Sequence, residues 1–134
     1  MIRVFTDDQE RIGKWFSEAN GNEYSFTNME YIATESNGII TCATGYNCYN
    51  GKSMQMHVAL KGWFTKEAMW YAFHYPFVEL GLHKLIAPIP STNVKSLRVA
   101  KHFGFIPEAI IKDAAPDGDL HLLTMTKEQC RYLK

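Results

Sequence analysis

The stretch STNVKSLRVAKHFGF, residues 91–105, concentrates side chains able to do chemistry. Asn93 offers a carboxamide and Ser96 a hydroxyl, at a spacing that puts both on one side of a helix's first turn. Lys95, Arg98 and Lys101 repeat at the same interval and make a basic stripe suited to phosphate oxygens. Each feature also has an ordinary reading: Asn93 as a helix N-cap, the stripe as a solvated face. Gly104-Phe105 closes the segment as a helix stop. Reactive residues elsewhere are scattered. His57, His74, His83, His102 and His121 show neither HxxxH nor HExxH spacing, so no metal is expected. There is no G-x-S-x-G and no Walker sequence, which argues against hydrolase and NTPase chemistry. Cys42, Cys48 and Cys130 lack CxxC spacing and read as reduced thiols of a cytosolic protein.

The elements that must position these residues follow from pattern. Thr6 with Gln9 reads as a capping box opening a helix whose Ile12, Trp15, Phe16 and Ala19 share one face. Asn20-Gly21-Asn22 breaks it. MEYIATE and GIITCAT read as strands joined at Asn37-Gly38, and Asn50-Gly51 introduces a third strand, SMQMHVAL. From Thr65 to Gly81 the apolar residues keep helical spacing. Pro76 lies inside that helix, where it removes the bond to the Ala72 carbonyl and predicts a kink. HKLIAPIP reads as a strand, residues 92–104 as a helix, and EAIIKD and DLHLLTMT as strands around Pro116-Asp117-Gly118. Thr126 and Gln129 form a second capping box before a terminal helical turn. The order is α-β-β-β-α-β-α-β-β, a mixed α/β class.

Composition bounds the rest. A chain of 134 residues and 15.4 kDa predicts a single domain over residues 1–134. Fourteen basic and fourteen acidic residues cancel, which weighs against nucleic acid as a partner. No apolar run reaches membrane-spanning length and Met1-Ile2-Arg3 opens no secretory segment, so a cytoplasmic protein without membrane contact is expected.

Strand 53–60, helix 65–81 and strand 83–90 make a β-α-β unit, so the two strands run parallel. Ligands in such sheets sit beyond the carboxyl ends of the strands. Here both ends run into helix starts, at Thr65 and Thr92, whose free N–H groups favour an anion. Pro88 and Pro90 remove two amides from one side of the second strand. Either pairing stops there and leaves a wedge between the parallel strands, or the prolines mark a sheet edge.

On these residues the chain resembles the GNAT superfamily of acetyl-CoA-dependent N-acetyltransferases, over roughly residues 29–126. The likeness is strongest in YAFHYPFVELGLHKLIAPIPSTNVKSLRVAKHFGF. It implies an α/β fold (an α+β mixed sheet) with an antiparallel meander, a central splayed parallel strand pair holding pantetheine, and flanking helices. The Asn-x-x-Ser at Asn93 and Ser96 resembles the ribosomal-protein-type branch, which acetylates protein N-termini. The compact, proline-containing form is similar to small GNAT-like proteins of bacteriophages and bacteria. By this resemblance acetyl-CoA is the co-substrate, with no metal, and a protein or peptide amine is the acceptor. Asn93 would hold the pantetheine arm, Ser96 would stand near the CoA sulfur, and Lys95, Arg98 and Lys101 would meet CoA phosphates. The backbone at Val58–Leu60 would polarise the thioester carbonyl.

Two departures stand out. LKGWFTKEA fits the Arg/Gln-x-x-Gly-x-Gly/Ala phosphate loop in no register, leaving Gly62, Thr65 and Lys66 as stand-ins. Ala100 occupies the place of a tyrosine that reprotonates the thiolate in many relatives. For a general base there are two candidates, His57 and Asp113, and neither is singled out; the closest match to the branch's glutamate is Ala115. The cluster Trp70, Tyr71, His74, Tyr75 and Phe77 reads as core packing, an acceptor surface or a homodimer contact. The degraded loop and unassigned base keep a second class open: a GNAT fold retained as a binding or structural module with little catalysis.

Overall fold

The computed structural model describes residues 1–21 and 28–134; Asn22 of the Asn20-Gly21-Asn22 break lies outside them. Three helices pack on a seven-stranded sheet of order β1-β2-β3-β4-β5-β7-β6. The strands are β1 (Ile2–Phe5), β2 (Glu30–Ser36), β3 (Ile39–Asn47), β4 (Ser53–Leu60), β5 (Lys84–Pro90), β6 (Ile106–Ala115) and β7 (Gly118–Thr126). The helices are α1 (Gln9–Ala19), α2 (Lys66–His74) and α3 (Val94–Phe103). Among the described residues only β4 and β5 pair in parallel, and the other neighbouring pairs are antiparallel.

Local chemistry explains most of this. Asn37 and Gly38, at φ 53° and 83°, close a two-residue turn that sets Ser36 opposite Ile39. The Asn50 side-chain oxygen accepts from the Lys52 and Ser53 amides at 2.9 and 2.8 Å, which turns the chain into β4. Gly104, at φ 109°, ends α3 in the left-handed conformation. The Thr126–Gln129 box is reciprocal, at 2.9 and 3.3 Å, and a 3₁₀ turn over Arg131–Leu133 follows.

Three features depart from the pattern reading. The strand β1, pairing Ile2 with Ser36 through Phe5 with Ala33, has too few residues to show an alternation. The helix α1 is capped by Asp8, whose side chain accepts from the Arg11 amide, and not by Thr6. Gln9 instead clamps β2: its amide nitrogen donates to the carbonyls of Thr6 and Tyr31, and its oxygen accepts from the Tyr31 amide at 2.8 Å. The kink at Pro76 is a π-helical turn over Tyr75–Glu79, with the Leu80 amide reaching the Tyr75 carbonyl at 3.0 Å. The Ala72 carbonyl, deprived of the proline amide, accepts a hydrogen bond from the buried Tyr46 hydroxyl at 2.5 Å.

The sheet has a core on each face. Phe5, Ile12, Phe16, Tyr31 and Ala59 pack under α1. Met54, Phe73, Phe77, Leu85, Phe103 and Leu123 pack on the other side with α2 and α3. Met54 and Ala59 belong to one strand and lie in different cores, as alternation requires. Among the described residues no helix is long and apolar enough to cross a membrane.

Candidate functional site

The site begins where β4 and β5 part. Their pairing runs from Ser53–Lys84 to Gln55–Ile86 and stops, while β4 continues to Leu60 and β5 to Pro90. The strand β5 stays paired with β7 as far as Pro90–Leu120, so it is no edge strand. The Ser91 amide donates to Asp119 at 2.8 Å and the His83 carbonyl accepts from Lys127 at 3.2 Å, which turns odd-numbered backbone groups of this segment toward β7. Ile86, Pro88 and Pro90 therefore face β4, and the two missing amides are those of the gap. The same reasoning applies across the gap. The Lys61 amide donates to Thr41 on β3 at 2.8 Å, so the N–H groups of Val58 and Leu60 point into the opening. One edge of the gap carries donors and the other lacks them at Pro88 and Pro90, so a full parallel ladder cannot form there.

A cavity of about 610 Å³ occupies this gap. It passes from the C-terminal end of α1, at Ala19 and Asn20, between the strands to α3. The helix presents Asn93, Ser96, Ala100 and Phe103 to it, residues spaced to share one face. The helix start is firmly built. The Asn93 carboxamide oxygen accepts from the Ser96 amide at 3.1 Å, and the Asn93 amide donates to the Pro90 carbonyl at 3.0 Å. Ser91 Oγ accepts from the Asp119 amide at 3.1 Å. A Cβ at Gly118 would lie 2.5 Å from that oxygen, so glycine lets the β6–β7 turn close on the entrance to α3. Asn93 thus acts as an N-cap and lines the cavity at once. The Ser96 hydroxyl has no hydrogen bond among the described residues and opens on the same space.

His57 also lines the cavity. Its Nε2 lies 3.0 Å from Asn47 Oδ1, a hydrogen bond that ties the ring to the end of β3. Burial penalises the imidazolium and pushes the pKa down to about 4. His57 is therefore neutral at physiological pH, and a weak base. Asp113 is placed differently. It sits exposed on a β6 irregularity at φ 55°, away from the cavity wall, and its backbone amide donates to Asp119 Oδ1 at 3.0 Å. That amide, with the Lys112 ammonium, holds the Asp119 carboxyl below the usual range. The neighbours Ala114, Ala115 and Pro116 line the opening instead.

Val58, Leu60, Asn93, Ser96 and His57 are thus brought together, while Gly62, Thr65, Lys66, Arg98, Lys101 and Asp113 stand outside the cavity wall. Lys95 is the one member of the basic stripe that lines it. Asn20, Asn47 and Gln55 line it too and carried no signal in the sequence, since only tertiary pairing brings them there. The β4–α2 loop lies beside this cleft and is tightly anchored. A Cβ on Gly62 would meet Thr41 Cβ at 3.1 Å, so this glycine serves packing against β3. The Cys42 thiol donates to the Trp63 carbonyl at 3.5 Å, and Thr65 caps α2 by accepting from the Ala68 amide at 3.0 Å. The Phe64 ring meets Phe103 edge to face at 5.4 Å, tying the loop to the cavity wall. Among the described residues no cluster of His, Cys, Asp and Glu could hold a metal.

No family model and no curated protein matches the chain. Solved structures do. A chimera of the spermidine N-acetyltransferase SpeG from Vibrio cholerae with hSSAT superposes with a TM-score of 0.72 at 13% identity, covering 99% of each chain. A GNAT-family acetyltransferase from Bacillus anthracis gives 0.69 at 18% identity, covering 95% of each. The structure of yncA from Salmonella typhimurium with its cofactor acetyl-CoA gives 0.65 at 15% identity, covering 94% of this chain and 92% of that one. The chain has the GNAT fold, with the mixed sheet and flanking helices that the resemblance implied.

Proposed function

We propose that this chain is an acetyl-CoA-dependent N-acetyltransferase acting on a protein or peptide amine. The observation that carries the reading is the gap beyond Gln55–Ile86, donor-lined on β4 and donor-free on β5. Its chemistry suits a long amide-bearing ligand laid along β4: Val58 and Leu60 offer N–H groups, and the Asn93 carboxamide nitrogen offers another. Bound acetyl-CoA supplies the acetyl group as a thioester. One of these two amides, fixed by the strand, donates to the thioester carbonyl oxygen as it gains charge, while the other, two residues along, holds an amide oxygen of the ligand. The Ser96 hydroxyl delivers a proton to the departing sulfur and recovers one from water, so that the proton shed by the amine balances the one the thiol gains. Neutral His57, on the cavity wall, is assigned the proton that the amine nitrogen sheds as it forms the new bond; the amine must arrive uncharged because a base of pKa about 4 does not deprotonate an ammonium. Asn20, Asn47 and Gln55 on the cavity wall carry carboxamides of the kind that pair with a peptide backbone.

Lys66, Arg98 and Lys101, outside the wall and exposed, are assigned to the CoA phosphates as point charges, with Gly62 and Thr65 shaping the loop between them. The exposed isoleucines 106, 110 and 111 on the edge strand β6 suit a homodimer contact. A second reading rests on the low basicity of His57 and the absence of phosphate-loop glycines: the fold binds the ligand and barely turns it over. Thiol release from acetyl-CoA, assayed with N-terminal peptides and with spermidine as acceptors, separates the two. Release with peptides supports the transferase. Tight acetyl-CoA binding without release above the protein-free rate supports the binding module, and release with spermidine alone would overturn the peptide acceptor.

A further inference from the structure

Trp63 is 90% exposed, next to Phe64, whose ring is turned inward against Phe103. Exposing an indole to water forgoes the burial that normally holds a tryptophan in place. Mobility of the backbone does not account for it. The Lys61 amide is bonded to Thr41, the Trp63 carbonyl accepts from the Cys42 thiol, Gly62 is packed against Thr41, and Thr65 caps α2. The loop therefore holds Trp63 outward on a fixed frame, three residues beyond Leu60 of the cavity wall.

Its surroundings are cationic. Lys61 and Lys66 are exposed two residues before it and three after it in the chain, and the Phe64–Phe103 contact brings the C-terminal end of α3, where Lys101 is exposed, to the loop. Among the described residues none of these three takes part in an ion pair, and Glu67 directly follows Lys66 in the chain. An uncovered flat aromatic amid unpaired cations matches a phosphorylated purine, which offers a π-face to stack and phosphate oxygens to pair.

We infer that Trp63 is the platform on which the adenine of a CoA-type ligand stacks, with Lys61 and Lys66 beside its phosphates. This rests on the acetyl-CoA reading above. It also gives the glycine-poor loop a purpose: anchoring by a side chain replaces the close backbone approach that glycines permit elsewhere.

Calorimetry of the full chain with CoA, adenosine 3′,5′-bisphosphate and S-acetylpantetheine tests it. Trp63→Ala is expected to weaken CoA and the bisphosphate about tenfold while leaving S-acetylpantetheine within twofold, and Trp63→Phe is expected to retain most of the affinity. An exposed side chain makes these variants safe for folding, which a thermal melt confirms. Wild-type binding of CoA that Trp63→Ala leaves unchanged overturns the platform alone. Equal losses for CoA and S-acetylpantetheine also overturn it, since the residue would then act on the cleft as a whole. A wild type that binds neither CoA nor S-acetylpantetheine overturns the acetyl-CoA reading and this inference with it.

Discussion

Replacing Tyr46 by phenylalanine should be far more damaging than the loss of one oxygen suggests. Tyr46 is fully buried; its hydroxyl donates to the Ala72 carbonyl at 2.5 Å and meets Thr44 Oγ1 at 2.9 Å. The Ala72 carbonyl depends on it because Pro76 has no amide to give. Burial also pushes the phenol pKa up, so the group is a protonated donor at every working pH. In Tyr46→Phe the ring stays and keeps its edge contact with Tyr75, so no cavity term arises. What remains is a buried carbonyl without a donor and a buried threonine hydroxyl without its partner. An unsatisfied buried group costs about 1–3 kcal/mol, and Thr44 can partly recover by rotating, so the sum is about 2–4 kcal/mol. For a chain of this size that is a fall in Tm of roughly 8–15 °C. Differential scanning calorimetry reads it. Pro76→Ala, which restores an amide four residues after Ala72, should recover about 1 kcal/mol in the Tyr46→Phe background and little on its own. A Tm drop below about 2 °C for Tyr46→Phe, or no coupling between the two sites, would refute the idea that this hydroxyl replaces the proline's missing donor.

Ser96→Ala should lower turnover about 10²–10⁴-fold with the acetyl-CoA dissociation constant nearly unchanged, read by thiol release and calorimetry; equal turnover removes Ser96 as the acid. Asn93→Ala should show two separable losses: about 1 kcal/mol of stability from the cap, and about 1–3 kcal/mol of acetyl-CoA affinity from the cavity-facing carboxamide. Stability without affinity loss would leave Asn93 as a cap alone. His57 makes stability pH-dependent. Its folded pKa of about 4 lies below the unfolded value near 6.5, so the unfolded chain binds more protons between the two and stability falls as pH drops through that window, by up to about 3 kcal/mol. Urea melts at pH 7 and pH 4 on wild type and His57→Gln test this, and identical pH slopes would contradict it.

What the residues determine alone is what neighbouring residues decide among themselves. Asn37-Gly38 sets a hairpin because two adjacent positive-φ residues leave the chain few other paths. Asn93, Ser96 and Gly104 delimit α3 because capping is a matter of three or four residues, and the parallel strands follow from the chirality of one crossover. Pro88 and Pro90 announced two missing amides, but only the β7 register told which side they faced. The rest required the tertiary structure, since it depends on partners distant in the chain. The strand β1 exists because β2 offers it an edge, and Gln9 leaves its capping box because the Tyr31 backbone competes for it. The low basicity of His57 is set by burial, which its own sequence neighbours do not encode. Of three evenly spaced cations on α3, only Lys95 reaches the cavity wall, because a helix's period fixes which residues share a face while packing chooses which face meets the gap.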